Sequence, residues 1–169
     1  MSPTIRNAGL MLLGTVALAQ PALAQSISCE QLKQLQELGK NYFADINGGP
    51  DDPVDPIYTL STMVLEGAEQ CTLDYIETGS PTFSCTWDGY GDQASAEAAR
   101  VGLKNQVMAC LPKGFKQRDR QLDTGTSSSY FTKFTFGFLQ PEITVKRRYS
   151  VTRRSHTVEF AFQMRLPAD

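Results

Sequence analysis

The spacing of apolar positions along the chain changes from helical to alternating, and the change divides it. Leu32, Leu35, Leu38, Tyr42 and Ile46 recur at helical spacing. Ser28, with Gln31 three residues on, makes a capping-box pattern that starts this helix, and Asn47-Gly48-Gly49-Pro50 stops it. Asp55-Pro56 reads as a cap and first-turn proline. Ile57, Leu60, Met63 and Val64 then predict a short second helix ending near Gly67, although Thr59, Thr62 and Val64 also suit a strand. Residues 71–76 and 82–87 read as the strands of a hairpin around Gly79. Asp92 caps a further helix, along which Ala96, Ala99, Leu103, Val107 and Cys110 form one stripe, ended by Pro112 and Gly114.

Beyond Gly114 the period is two. A strand is expected from Phe115 to Leu122, then a flexible tip at residues 124–129. Tyr130, Thr132, Phe134, Phe136 and Phe138 share one face, as do Ile143, Val145, Tyr149 and Val151. Val158, Phe160, Phe162, Met164 and Leu166 alternate with Thr157, Glu159, Ala161, Gln163 and Arg165, one face for the core and one for water. The fold class is α+β: an antiparallel sheet of about five to six strands with two to three helices packed on one face, in the order α-α-β-β-α-β-β-β-β. The sequence shows no internal repeat, and residues 25–169 are read as a single domain.

Residues 1–24 read as a cleaved secretory signal peptide. Arg6 supplies the charge of a short n-region, residues 8–19 an apolar run, and Ala22-Leu23-Ala24 the small residues of a cleavage site near Ala24. The mature chain of about 145 residues is then expected in the bacterial periplasm or secreted, with no transmembrane segment. An oxidising compartment makes disulfides of Cys29, Cys71, Cys85 and Cys110. Three pairings are possible. The turn between Cys71 and Cys85 favours a bridge between them, leaving Cys29 to join Cys110 across about 80 residues, worth roughly 4 kcal/mol in the chain-entropy model. Trp87 would share a strand face with Cys85 and pack over it.

Charge is nearly balanced overall but not along the chain. Residues 25–99 hold two basic and thirteen acidic side chains, and residues 100–169 hold thirteen basic and five acidic ones. The halves either pack together and neutralise each other, or the basic half meets an anionic partner. Lys146, Arg147, Arg148, Arg153 and Arg154 would gather at one end of the sheet around a turn, with Lys113, Lys116, Arg118 and Arg120 adding to the patch and Tyr149 and Phe131 supplying stacking contacts. The bland alternative is that these cations protect a sheet edge from aggregation.

The remaining chemistry is sparse. His156 is the only histidine and is expected exposed, in or beside a tight turn; Ser155 next to it points to the other face of a strand, so no nucleophile–base pair forms. One histidine, no Cys-x-x-Cys and four disulfide cysteines give no metal site. The acidic loop at residues 45–55 begins like an EF-hand, but its glycine is misplaced and its twelfth position lacks glutamate, so it reads as a turn. The expected function is non-enzymatic binding without a cofactor: the basic C-terminal sheet region docks an acidic protein or an anionic envelope component, and not nucleic acid. One alternative is an inhibitor or immunity-type protein that blocks an enzyme with a loop, either residues 48–55 or 124–129. Another is a hydrolase using a carboxylate pair.

Overall fold

Ser28 caps α1 (Cys29–Lys40) as its pattern predicts: Gln31 N–H donates to Ser28 Oγ at 3.1 Å, and Ser28 N–H donates to Gln31 Oε1 at 2.8 Å. The computed structural model describes residues 25–51, 58–76, 80–136 and 141–164. The signal-peptide reading, Asp55-Pro56, Ile57, Gly79, Phe138, Arg165 and Leu166 lie outside those residues. Helix α1 stops at Lys40 instead of running on to Ile46. Gly39 and Asn41 are weak helix formers, and Tyr42 and Phe43 then take left-handed φ values of 53° and 58° before a single 3-10 turn, Ala44–Ile46. Left-handed geometry costs roughly 1–2 kcal/mol per residue. The reversal it makes buries Phe43 completely, tilted against Phe83 and edge-on to Phe162 at 6.2 and 6.4 Å between ring centroids. Burial of a phenylalanine returns about 1.5–3 kcal/mol.

The predicted helix stop is itself a strand. β1 (Asn47–Pro50) pairs antiparallel with β2 (Thr59–Ser61), and β2 with β3 (Gln70–Ile76). This overturns the second predicted helix at Leu60: next to β-branched Thr59, Leu60 pairs with Thr72, and backbone hydrogen bonds to two neighbouring strands outweigh a marginal helix. The apolar residue that enters the core from this segment is Leu65, whereas Val64 is exposed.

β4 (Ser80–Tyr90) completes the hairpin with β3, and α2 (Gln93–Cys110) follows, capped by Asp92, whose carboxylate accepts from the Ser95 N–H at 2.8 Å. Then come β5 (Lys116–Asp123), β6 (Ser127–Thr135), β7 (Glu142–Ser150) and β8 (Ser155–Gln163), all antiparallel. The tip expected at residues 124–129 is shorter than that, because Ser127, Ser128 and Ser129 belong to β6.

The eight strands form one sheet in the order β1-β2-β3-β4-β8-β7-β6-β5. The sheet therefore exceeds the five to six strands expected, the additions being the short β1 and β2. Two helices, not three, occur among the described residues. The element order repeats although the sequence does not: a helix and a four-strand meander, twice, joined at their last strands β4 and β8.

Both helices cover one face. Phe83, Cys85 and Trp87 of β4 and Val158, Phe160 and Phe162 of β8 are buried there, paired Trp87 with Val158, Cys85 with Phe160 and Phe83 with Phe162. Trp87 also donates from Nε1 to the Glu66 carbonyl at 3.1 Å, which satisfies its one polar atom. Cys71 and Cys85 are cross-strand partners and are bridged; Cys29 and Cys110 bridge the first residue of α1 to the last of α2. The opposite face of the sheet is mostly polar. The strand order also turns a charge asymmetry along the chain into one across the sheet, with the acidic half in β1–β4 and the basic half in β5–β8.

Candidate functional site

Consecutive residues of a strand face opposite ways, and this rule divides the basic run of β7. Lys146 and Arg148 lie on the open face, while Arg147 and Tyr149 lie under the helices, level with Val158 and His156 of β8. Lys146 pairs with its cross-strand neighbour Glu159 at 2.7 Å. Arg147 reaches up to Glu97 of α2 at 3.1 Å. Arg148 is exposed on the open face, between Ser129 and Thr157. Arg153 and Arg154 are exposed in the turn between β7 and β8, Arg154 with φ of 50°. Of the predicted cluster, Arg148, Arg153 and Arg154 thus face solvent at one end of the sheet, and Lys146 and Arg147 are held by acids of the chain itself. Lys113 and Lys116 belong to the opposite end, since Lys116 pairs with Thr135 at the far end of β6.

Beneath α2 the side chains form a polar network that the sequence reading missed. Arg100 is 4% exposed. Its Nη1 donates to Thr132 Oγ1 at 2.9 Å, its Nη2 and Nε donate to Glu97, and its guanidinium lies 4.6 Å from the Tyr130 ring centre. Thr132 passes the chain of bonds on, donating to Asp119 Oδ1 at 2.6 Å. The available signal was spacing: Arg100 falls between Ala96 and Leu103 on the buried stripe, where an arginine requires partners. The hydrogen bond from Arg100 holds the Glu97 carboxyl below its ordinary range, and that from Thr132 does the same for Asp119, each against the opposing effect of burial. Two cations and two carboxylates close this network, which fastens helix to sheet.

His156 lies beside the β7–β8 turn, as expected, but is not exposed. It is the second residue of β8, half-buried, its ring 4.7 Å from that of Tyr149, with Tyr90 opposite it on β4. Tyr149 is therefore occupied by a ring of its own chain. Burial, reinforced by Arg147, pushes the His156 pKa down, opposed by Asp92. Its Nδ1 and the Tyr90 hydroxyl are buried without a hydrogen-bond partner among the described residues.

The acidic loop is described only as far as Asp51, which accepts from the Tyr58 N–H at 3.0 Å. Among the described residues no group of three or more His, Cys, Asp or Glu side chains is placed to hold a metal ion, and no helix is long and apolar enough to cross a membrane.

Cations concentrate on β5. Lys116, Arg118 and Arg120 share the open face of this strand, next to Lys133 of β6, which pairs with Glu142 at 2.5 Å. None of the ion pairs among the described residues involves Lys116, Arg118 or Arg120. The two acids of β5 do not offset them: Asp119 accepts from Thr132 on the other face, and Asp123 accepts from the Gly125 N–H at 2.9 Å. No protein-family model, curated protein or solved structure matches this chain.

Proposed function

We propose that this chain is an exported, non-enzymatic binding protein whose basic half docks an acidic protein or an anionic envelope component. One observation carries the reading: exposed cations without an acidic partner among the described residues lie along β5, at Arg148 and in the β7–β8 turn. Unneutralised like charges raise the local potential and draw an oppositely charged partner. Two disulfides fit an oxidising compartment. The test is a pull-down from envelope extract with the oxidised chain, at low and physiological salt. The chain with Arg118, Arg120, Arg148, Arg153 and Arg154 changed to Glu should lose the captured partner, while Lys33→Glu/Lys40→Glu on α1 keeps it. Equal capture by both variants contradicts the reading.

A second reading, an inhibitor that inserts a tip into an enzyme, draws on the order of the β5–β6 loop. Thr124 N–H donates to the Ser127 carbonyl at 2.9 Å, and Val151 N–H donates to that of Thr126 at 3.1 Å. A tip held in one shape loses little entropy on binding. Replacing residues 124–126 by glycines separates the two readings, because it removes only the second kind of binding.

A further inference from the structure

We infer that β5 is an edge for strand addition and that its occupant is an extended, acidic segment of a protein partner; this rests on the reading of the basic half as a docking surface. The two edges of the sheet are unlike. β1 is four residues long and contains two glycines and a proline, features that discourage pairing. β5 is eight residues long, contains neither glycine nor proline, is exposed at every position and, among the described residues, is bonded on one side only, to β6. It therefore presents a row of backbone donors and acceptors of the kind that extended peptides join.

The side chains of β5 state what would fit. Lys116, Arg118 and Arg120 repeat every second residue, about 6.8 Å apart along a strand. Acidic residues at alternate positions of an added strand would lie directly opposite them, Cβ to Cβ about 4.5–5.5 Å, within reach of an ion pair. The intervening residues would meet Gln117, Asp119 and Gln121 on the other face and need to be neutral or basic. The pattern is thus an acid at every second position, flanked by polar residues.

The same charges reject a second copy of β5. A twofold axis through the sheet centred on Arg118 sets Lys116 against Arg120; centred on Asp119, it sets Arg118 against Arg120 and Asp119 against itself; centred on Arg120, it sets Arg120 against itself. Like charges directly opposite destabilise an antiparallel pair. A polyanion spread over the open face is a poorer fit, because Glu142 and Glu159 already sit there and neutralise Lys133 and Lys146. Apart from Arg148 and the arginines of the β7–β8 turn, the surplus charge follows the edge strand.

The experiment uses the oxidised chain at physiological salt with three probes: a short alternating Glu-Thr peptide, the same peptide with its backbone amides N-methylated, and inorganic polyphosphate. The plain peptide should bind, slow hydrogen exchange across residues 116–123, and lose at least about tenfold in affinity on N-methylation, since several backbone hydrogen bonds are lost together. Arg118→Glu/Arg120→Glu, two changes at exposed positions, should cost a similar factor, and Lys33→Glu/Lys40→Glu should cost nothing. Equal binding of both peptides, lost in the Arg118→Glu/Arg120→Glu chain, overturns strand addition but leaves charge-driven docking standing. Binding of polyphosphate alone overturns the acidic-strand occupant and points to an anionic component. No binding of any probe overturns the strand inference; if the pull-down also shows no charge-dependent partner, the docking reading falls with it.

Discussion

Arg100 of α2 and Thr132 of β6 meet in the interior, Nη1 to Oγ1 at 2.9 Å, and both side chains are almost wholly shielded from water. Thirty-two residues apart in sequence, they hold the second helix onto the basic half of the sheet. Truncating a buried, paired arginine leaves its acceptors unsatisfied, which costs about 3–5 kcal/mol in a fully buried pair. Glu97 retains Arg147 and is about a third exposed, so Arg100→Ala should destabilise by roughly 2–4 kcal/mol, read from the urea midpoint. Arg100→Met, which keeps the stem, should cost less. Equal midpoints for Arg100→Ala and the unchanged chain would remove the network from the account of stability.

The two disulfides should contribute unequally. They close separations of 81 and 14 residues, for which loop entropy gives about 4.5 and about 3 kcal/mol. Cys29→Ala/Cys110→Ala should therefore lower the denaturation midpoint more than Cys71→Ala/Cys85→Ala. The second pair lies deeper in the core, and the cavity left there adds to its loss. A reversal of the order would show that packing around Cys71 and Cys85 outweighs chain entropy.

Two pH windows follow from the shifted groups. The His156 pKa is pushed down in the fold, chiefly by burial, so the unfolded chain binds the proton more readily. Stability from this site is complete above the unfolded value, about 6.5, and falls as pH drops from there through the folded value. His156→Phe should flatten that part of the profile. Glu97 and Asp119 are shifted down by hydrogen bonds. Their stabilisation is present above the ordinary carboxylate range and is lost as pH falls through their folded values, in a separate acidic step that Thr132→Val should shrink. Denaturation midpoints at a series of pH values resolve both steps; a single step unaffected by either change would contradict the assignment.

Gly39 is a position where a methyl group cannot be added without movement. A Cβ there would collide with Cγ and Sδ of Met164 and press on the Phe43 ring. Gly39→Ala should destabilise by about 1–3 kcal/mol despite the better helix propensity of alanine. A gain in thermal midpoint would show that Met164 moves aside freely.

What was legible in the chain was what short-range chemistry dictates. The capping box at Ser28, the Asp92 cap, the stripe from Ala96 to Val107 and the alternation of Val158, Phe160 and Phe162 each specify a local geometry, and the structure has them. β1 and β2 were not legible, since strands of four and three residues in a Gly-, Pro- and Thr-containing stretch exist through their neighbours rather than their own pattern. The left-handed pair Tyr42 and Phe43 is likewise a tertiary outcome, repaid by the burial of one ring. The basic run of β7 reads along the chain as one patch, although its period of two already splits Arg147 from Lys146 and Arg148. Their partners, Glu97 and Glu159, come from other elements and no spacing announces them.

The central claim is that the basic half of the sheet meets the partner, and hydrogen exchange of the chain with and without its captured partner tests it most directly. The account predicts slowed exchange in β5 and around the Val151–Arg154 turn, with β1 to β3 unchanged. Slowing confined to β1–β3 would contradict it.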